Sequence, residues 1–234
     1  MQPEIVVLPN PAAVMREAAD RFVALARSAL AAQGRFTVAL SGGSTPKSVY
    51  EQLVTPPIDW QHVHVFWGDE RCVPPVHPDS NYGLAQRAWL AHINIPAQNV
   101  HRLHGELDPA EAARQYEDEL RAILGTLPRF DLVWLGMGAD AHTASLFPGT
   151  PALHEQQRWV VAQYVDQLQA ARLTLTPLII NQAANVSCLV TGSDKAAALQ
   201  AVWRGPHDPD QFPAQIVKPT AGQLSWLVDR AALA

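Results

Sequence analysis

Residues 36–46, which read FTVALSGGSTP, indicate the fold before any other part of the chain. Phe36–Leu40 is a short, wholly apolar run, which is typical of a strand buried on both faces of a sheet. Two glycines then allow a tight turn, and Thr45 followed by Pro46 predicts the start of a helix. A strand that passes through a glycine-rich turn into a helix is the building unit of a parallel α/β sheet.

The same alternation of strand and helix continues along the chain. The spacing of apolar residues predicts helices over residues 11–33, 45–54, 80–91, 108–124 and 194–203. Short apolar runs predict further strands at residues 63–67, 130–135, 159–164, 173–175 and 186–191, and the segment from residue 214 onward mixes strand, turn and helix signals. We therefore predict a Rossmann-like three-layer αβα fold with a mostly parallel, doubly wound sheet. The length of 234 residues and the lack of a long linker favour one α/β domain over residues 1–234.

Composition limits the partners and the compartment. The chain has 17 Lys+Arg against 22 Asp+Glu, a net charge of −5, which argues against nucleic-acid binding. No run of apolar residues is long enough for a membrane span, and residues 1–10 lack the regions of a signal peptide. Cys72 and Cys188 lie far apart without a CxxC motif, so neither a disulfide scaffold nor a zinc knuckle is expected. Together these features predict a cytoplasmic protein.

The candidate functional residues follow four of the predicted strands. Ligands of doubly wound sheets bind beyond the carboxyl ends of the strands, at a switch in strand order. After the first strand, Gly42, Gly43, Ser44 and Thr45 are expected to form an anion site at a helix N-terminus. The alternative is a tight turn with a threonine cap. A Walker phosphate loop is excluded because no GxxxxGK[ST] occurs.

A second strand exit carries three consecutive charges, in the segment GDER at residues 68–71. Arg71 is expected to hold a phosphate through paired hydrogen bonds, with Asp69 or Glu70 orienting the guanidinium. A cluster of surface salt bridges would explain the same residues without any ligand.

The segment TGSDK at residues 191–195 supplies a further cation. Lys195 is predicted in the first turn of a helix, where a positive charge opposes the helix dipole, so a phosphate counter-ion is the better explanation. Upstream, Arg172 begins RLTLT and is a candidate second cation, although an ordinary arginine on an edge strand remains open.

Residues 136–148, GMGADAHTASLFP, carry the candidate catalytic pair. The start matches the dinucleotide motif GxGxxG/A, but Pro148 interrupts the long helix that such a site requires. Asp140 and His142 are two residues apart, and in an extended loop they would point the same way. The carboxylate could then fix the imidazole tautomer, which would make His142 a general base near neutral pH. A purely structural histidine is the alternative.

Two other chemistries have little support in the sequence. His62 and His64 alternate along one predicted strand, but no cysteine or carboxylate nearby completes a metal site. The serine-hydrolase motif GxSxG does not occur. We therefore expect no metal and no other cofactor.

Taken together, these motifs resemble the 6-phosphogluconolactonase family. SGGSTP, GDER, GMGADAHTASLFPG, RLTLTP and TGSDK occur in the order typical of that family, over nearly the whole chain. The resemblance implies a Rossmann-like fold similar to that of glucosamine-6-phosphate deaminases, and commonly a monomer. It also implies hydrolysis of 6-phospho-D-glucono-1,5-lactone, the second step of the pentose phosphate pathway. His142 and Asp140 would be catalytic, and the substrate would be bound by Gly42, Gly43, Ser44, Thr45, Arg71, Arg172 and Lys195.

One departure and two alternatives accompany the resemblance. Ala141 stands where the family usually has glycine, and a positive φ there would cost ~1 kcal/mol. The related deaminases resemble DGHIAFNEP at this loop, with a glutamate five residues after the histidine, where this chain has Phe147. A deaminase is therefore the less favoured enzyme. A non-catalytic module that binds sugar phosphates is the other alternative.

Overall fold

The structure is a computed structural model that describes residues 2–126 and 128–234, with the side chain of Ser44 also outside the described part. The prediction for the Ser44 hydroxyl therefore falls outside the described residues. The helices are α1 Pro11–Gln33, α2 Ser44–Gln52, α3 Asn81–Ala88, α4 Pro109–Leu124, α5 Pro177–Ile180 and α6 Ala196–Arg204. The strands are β1 Glu4–Leu8, β2 Phe36–Leu40, β3 Val63–Trp67, β4 Asp69–Arg71, β5 Leu132–Leu135, β6 Val160–Val165, β7 Ala170–Leu175, β8 Asn185–Val190 and β9 Gln223–Asp229.

Six of the strands form the predicted parallel sheet, in the order β1-β9-β8-β5-β2-β3. β2 lies inside it, and Val38 is in register with Val65 of β3 on one side and with Leu132 of β5 on the other. From β2 the chain continues to β3, whereas from β5 it continues in the other direction to β8 and β9. The strand order thus reverses between β2 and β5, and the predicted doubly wound α/β fold is confirmed.

Alternating side chains of the sheet meet helices on its two faces. On one face Phe36 packs edge-on against Phe22 of α1, with ring centroids 5.2 Å apart. On the other face Phe66 packs against Tyr116 of α4, at 6.5 Å. All four rings are fully or almost fully buried, and burial of each large apolar side chain contributes roughly 1.5–3 kcal/mol. The need to cover both faces explains why the strands are continuous apolar runs.

Helix α1 has the bounds that its capping residues predict. The Asn10 side chain accepts a hydrogen bond from the amide of Ala13 at 3.0 Å, and Pro11 occupies the first turn. At the other end Gly34 adopts φ +70° and donates its N–H to the carbonyl of Leu30. α1 has 23 residues, but within the described ranges no helix is both long and apolar enough to cross a membrane.

A second, antiparallel sheet, with strand order β4-β7-β6, was not predicted. The strands expected at residues 159–164 and 173–175 belong to this sheet, and part of the expected GDER loop is β4. Gly68 forms the corner between the sheets, because its amide donates to Leu40 at 2.8 Å and its carbonyl accepts from Leu175 at 2.8 Å. β1 was also not predicted, since it is a short and largely exposed edge strand.

A partly buried chain of titratable groups lies beside β3. His64 Nδ1 is 3.0 Å from His101 Nε2, and His101 Nδ1 is 2.6 Å from Glu119 Oε1. Burial, and then the charges of His101, Arg35 and His62, lower the pKa of His64 to about 4. The unfolded chain, with an ordinary histidine pKa of ~6.5, binds more protons in the interval between these values. The contribution of His64 to stability is therefore present above that interval and lost as the pH falls through it.

We expect His64→Gln to reduce the acid sensitivity of the fold. The variant should lose less free energy of unfolding than the wild type between about pH 7 and about pH 4.5, because it removes the titrating group. Urea denaturation across this range measures the effect, and His207→Gln, at an exposed histidine after α6 that does not act on His64, is the matched control. Equal pH slopes for all three proteins would contradict the assignment.

Candidate active site

A cleft opens beyond the carboxyl ends of β2 and β5, where the strand order reverses. Its volume is about 240 Å³. Among the predicted site residues, Gly42, Gly43, Arg71, His142 and Lys195 line it. The other lining residues are Ser41, Asp69, Asn81, Gly136, Met137, Gly138 and Ala144. Doubly wound sheets bind ligands in this place, because the loops of neighbouring strands diverge there.

A larger cavity of about 510 Å³ lies elsewhere, between α6 and the β1–β9 edge of the sheet. Its walls are mainly apolar and include Trp203 and Trp226, and it contains none of the predicted site residues. The smaller cleft is the candidate active site, because it combines the switch in strand order with ionisable groups.

Asp140 and His142 form the expected pair. His142 Nδ1 is 2.6 Å from Asp140 Oδ1, which also accepts the His142 amide at 3.2 Å. Burial opposes ionisation of Asp140, but the hydrogen bond and charge of His142 leave the pKa of this carboxyl below its usual value. An ionised Asp140 makes Nδ1 the donor and leaves the lone pair on Nε2. The ring of His142 also stacks on Phe147, with centroids 4.2 Å apart. The pairing is present, and its catalytic role stays a prediction.

A tight turn, rather than the expected extended loop, brings the pair together. The Ala141 amide donates to Gly138 at 3.0 Å, and the Gly138 amide donates to His142 at 2.9 Å. Ala141 has φ +63°, so this position does require the left-handed conformation that glycine adopts more easily. A methyl group at Gly138 would overlap both the His142 ring and the Asp140 carboxylate.

Pairing with a carboxylate does not by itself distinguish His142. His154 Nε2 is 2.8 Å from Asp210, and His101 makes an equally close contact with Glu119. Neither of those pairs lines the cleft. His142 differs because its ring lies in a concave site that arginine and lysine also line.

The glycine-rich turn after β2 forms one wall of the cleft. Gly43, with φ +104°, is the N-cap of α2, so the helix begins at Ser44 and the prediction of a Thr45 cap is wrong. The Thr45 hydroxyl is instead 3.0 Å from the Thr191 hydroxyl, which ties the exit of β2 to the exit of β8. Thr45 does not line the cleft. The helix N-terminus remains a favourable place for an anion.

Two arginines face each other across the small sheet. Arg71 of β4 is in register with Arg172 of β7, and like charges in such pairs are destabilising. The Arg71 guanidinium donates to the carbonyl of Asp79, and Arg172 donates to that of Ala171 at 3.0 Å. Burial and the charge of Arg71 lower the pKa of Arg172. Arg71 lines the cleft and Arg172 does not. Arg172 can therefore act on a ligand in the cleft only through its electrostatic field.

Lys195 reaches the cleft from the exit of β8. It lies in a short 3-10 turn, Ser193–Lys195, that precedes α6, and not in the first turn of that helix as predicted. Its amino group is 3.0 Å from the Asp194 carboxylate, which is much more exposed. A partner of this kind leaves the lysine available to an anionic ligand, because exposed ion pairs are weak.

The acidic residues of GDER do not orient Arg71 as expected. Glu70 accepts the amides of Asn81 and Tyr82 at 2.8 and 2.9 Å and so caps α3, although burial raises the pKa of its carboxyl. The Asp69 carboxylate accepts from the Ser145 hydroxyl at 2.7 Å and from the side-chain amide of Asn81 at 3.1 Å. Asn81 was missed because Ser80-Asn81 has the pattern of an ordinary helix start.

Within residues 2–126 and 128–234, no group of three or more histidine, cysteine, aspartate or glutamate side chains could hold a metal ion. His62 precedes β3 and His64 faces His101, so the two histidines do not converge on one point.

The fold and the cleft place the chain in the Rossmann-like α/β class. A sequence profile described as glucosamine-6-phosphate isomerases/6-phosphogluconolactonase matches residues 9–226, and the chain belongs to this enzyme family. A 6-phosphogluconolactonase of Nostoc sp. is 42% identical over 237 residues, 99% of this chain and 98% of the relative. The resemblance to 6-phosphogluconolactonases is thereby confirmed.

Solved structures agree with this membership. A 6-phosphogluconolactonase from Trypanosoma cruzi superposes with a TM-score of 0.88 at 28% identity, covering 99% of this chain and 96% of that one. A monomeric glucosamine-6-phosphate deaminase has a TM-score of 0.83 at 22% identity, covering 99% and 100%. At this low identity, the similarity to the deaminase shows only that the two proteins share a fold.

We expect Ala141→Gly to change the free energy of unfolding by less than about 1 kcal/mol. Relief of the left-handed strain, ~1 kcal/mol, offsets the lost burial of one methyl group and the greater freedom of the unfolded chain. Urea denaturation measures the change. Ala26→Gly, at an equally buried position in the middle of α1, is the control and should cost at least ~1 kcal/mol. Equal losses in both variants would show that Ala141 is unstrained.

Proposed function

We propose that the chain hydrolyses 6-phospho-D-glucono-1,5-lactone to 6-phospho-D-gluconate, in the oxidative branch of the pentose phosphate pathway. The observation that carries the proposal is a cleft lined by His142, which is paired with Asp140, and by the cations Arg71 and Lys195. The named relatives support the substrate. From the sequence and the family resemblance we also propose a monomer, located in the cytoplasm and without a cofactor.

In this mechanism His142 acts first as a base and then as an acid. Nε2 removes a proton from the water molecule that attacks C1 of the lactone, and the imidazolium then protonates the departing ring oxygen. Asp140 holds the ring through Nδ1 and stabilises its charged form. Such acid–base catalysis typically contributes ~100- to 10,000-fold.

The remote phosphate anchors the substrate while the lactone reacts. Arg71 and Lys195 contact it in this proposal, together with the amides at the start of α2 after Gly42 and Gly43. Arg172, paired with Arg71 on the neighbouring strand, strengthens the positive field without lining the cleft. Binding energy at the phosphate then positions C1 against the attacking water.

Phe147 argues against deamination. It lies where the resemblance to the deaminases would require a glutamate, and its ring stacks on His142 at 4.2 Å. An isomerising deaminase needs an additional proton shuttle, which an apolar ring does not supply. Lactone hydrolysis needs one base and an anchored substrate, and His142 and the cations of the cleft are the residues we propose for these roles.

We expect His142→Ala to lower kcat for the lactone by ~100- to 10,000-fold while binding of 6-phosphogluconate is largely retained. Hydrolysis measured against the spontaneous rate, with ammonia release from glucosamine 6-phosphate as the deaminase assay, tests the proposed reaction. His154→Ala, which removes the exposed pair with Asp210, is the matched control and should keep wild-type turnover. Near-normal turnover in His142→Ala would exclude this base, and a wild type with no hydrolysis above background would favour a binding module.

We expect Lys195→Ala to lower kcat/KM for the phosphorylated lactone by roughly 10- to 100-fold, mainly through KM, because a charge-assisted hydrogen bond is lost. Turnover of unphosphorylated glucono-1,5-lactone should change much less. Lys218→Ala, beside the larger cavity, is the control and should behave as wild type. The same loss on both lactones would place the phosphate elsewhere.

A further inference from the structure

Asn81 presents a hydrogen-bond acceptor to the cleft. The residue is only 2% exposed, yet it lines the cleft. Nδ2 donates to the carbonyl of Asp69 at 2.9 Å and to the Asp69 carboxylate at 3.1 Å, which uses both amide hydrogens. For Oδ1, no donor occurs among the residues that the structure describes. The oxygen lies against the backbone of Gly42, where a methyl group would overlap it.

The orientation of this amide is fixed. A flip of the side chain would turn Nδ2 away from both Asp69 acceptors and bring an oxygen against them, so the hydrogen-bond network selects one arrangement. The cap of α3 does not need Asn81 Oδ1 either. Glu70 accepts the backbone amide of Asn81 at 2.8 Å, and the Ser80 hydroxyl accepts the backbone amide of Gly83. Among the described residues, Oδ1 is not one of the fully buried side-chain atoms that lack a partner, so it is open to a donor from the cleft. The fold alone therefore does not account for this acceptor.

We propose that Asn81 Oδ1 accepts a hydrogen bond from a ring hydroxyl of the sugar lactone and so determines which sugar is hydrolysed. This inference rests on the proposed function. Arg71 and Lys195 offer donors, which suit the phosphate, and His142 faces the lactone carbon. The remaining polar groups of the substrate are hydroxyls, which need acceptors, and Asn81 and Asp69 supply them on one wall. A site that is built to accept from a hydroxyl discriminates against an analogue that lacks it.

The test compares kcat/KM for the 6-phosphorylated lactone and its 2-deoxy, 3-deoxy and 4-deoxy analogues. The wild type should disfavour one analogue by at least about tenfold, and in Asn81→Ala that ratio should fall to about threefold or less, because the hydroxyl has lost its acceptor. For the other two analogues, the ratio of kcat/KM between the parent lactone and the analogue should stay the same in the variant as in the wild type. Asn99→Ala, which removes a buried asparagine bonded to Gln61 outside the cleft, is the matched control and should keep all wild-type ratios.

Each other outcome overturns the inference. A uniform loss on all four lactones in Asn81→Ala would show a structural role only, and a wild type that does not discriminate would show that no hydroxyl is recognised. A wild type that hydrolyses none of the lactones would overturn the proposed function together with this inference. If the variant does not fold, a crystal structure of the wild type with 6-phosphogluconate decides: a hydroxyl within hydrogen-bond distance of Asn81 Oδ1 supports the inference, and its absence there refutes it.

Discussion

The pairing of β2 with a parallel neighbour on each side is the constraint on which the rest of the molecule depends. Val38 lies between Val65 and Leu132 in the register of the sheet. The connections that follow β2 and β5 leave in opposite directions, so the loops at residues 41–43 and 136–142 separate and leave a cleft between them. The glycine-rich turn and the histidine turn are neighbours for this reason alone, although about a hundred residues separate them in the chain.

The small antiparallel sheet holds the histidine segment in place. The Ser145 amide donates to the Thr174 hydroxyl at 3.3 Å, its hydroxyl donates to Asp69, and its carbonyl accepts from Gln163 at 2.5 Å. These bonds fix the backbone just after His142 to β4, β6 and β7. A rigid support of this kind would keep His142, the proposed base, in its working geometry, which matters because misplacement by ~1 Å is costly in catalysis.

The electrostatics of the cleft contrast with those of the whole chain. The chain carries a net charge of −5, yet Arg71 and Arg172 face each other and Lys195 reaches the same cleft. Such an arrangement costs stability in the absence of an anion. Ala141, held at a positive φ beside the histidine, is a second local cost at the same place. Local rules are broken at functional sites more often than elsewhere, and both departures support the assignment of this cleft.

The sequence by itself determined the layered α/β fold, the bounds of α1, the strands around residues 36–40 and 63–67, and the loops that carry the site. These follow from local periodicity, capping residues and glycine-rich turns, which act over a few neighbouring residues. Only the tertiary structure decided that β6 and β7 belong to a separate sheet, that Arg172 is paired with Arg71, that Thr45 bonds Thr191, and that Asn81 lines the cleft. These features depend on contacts between residues far apart in the chain, and such pairings leave no periodic signal in either of the segments that make them.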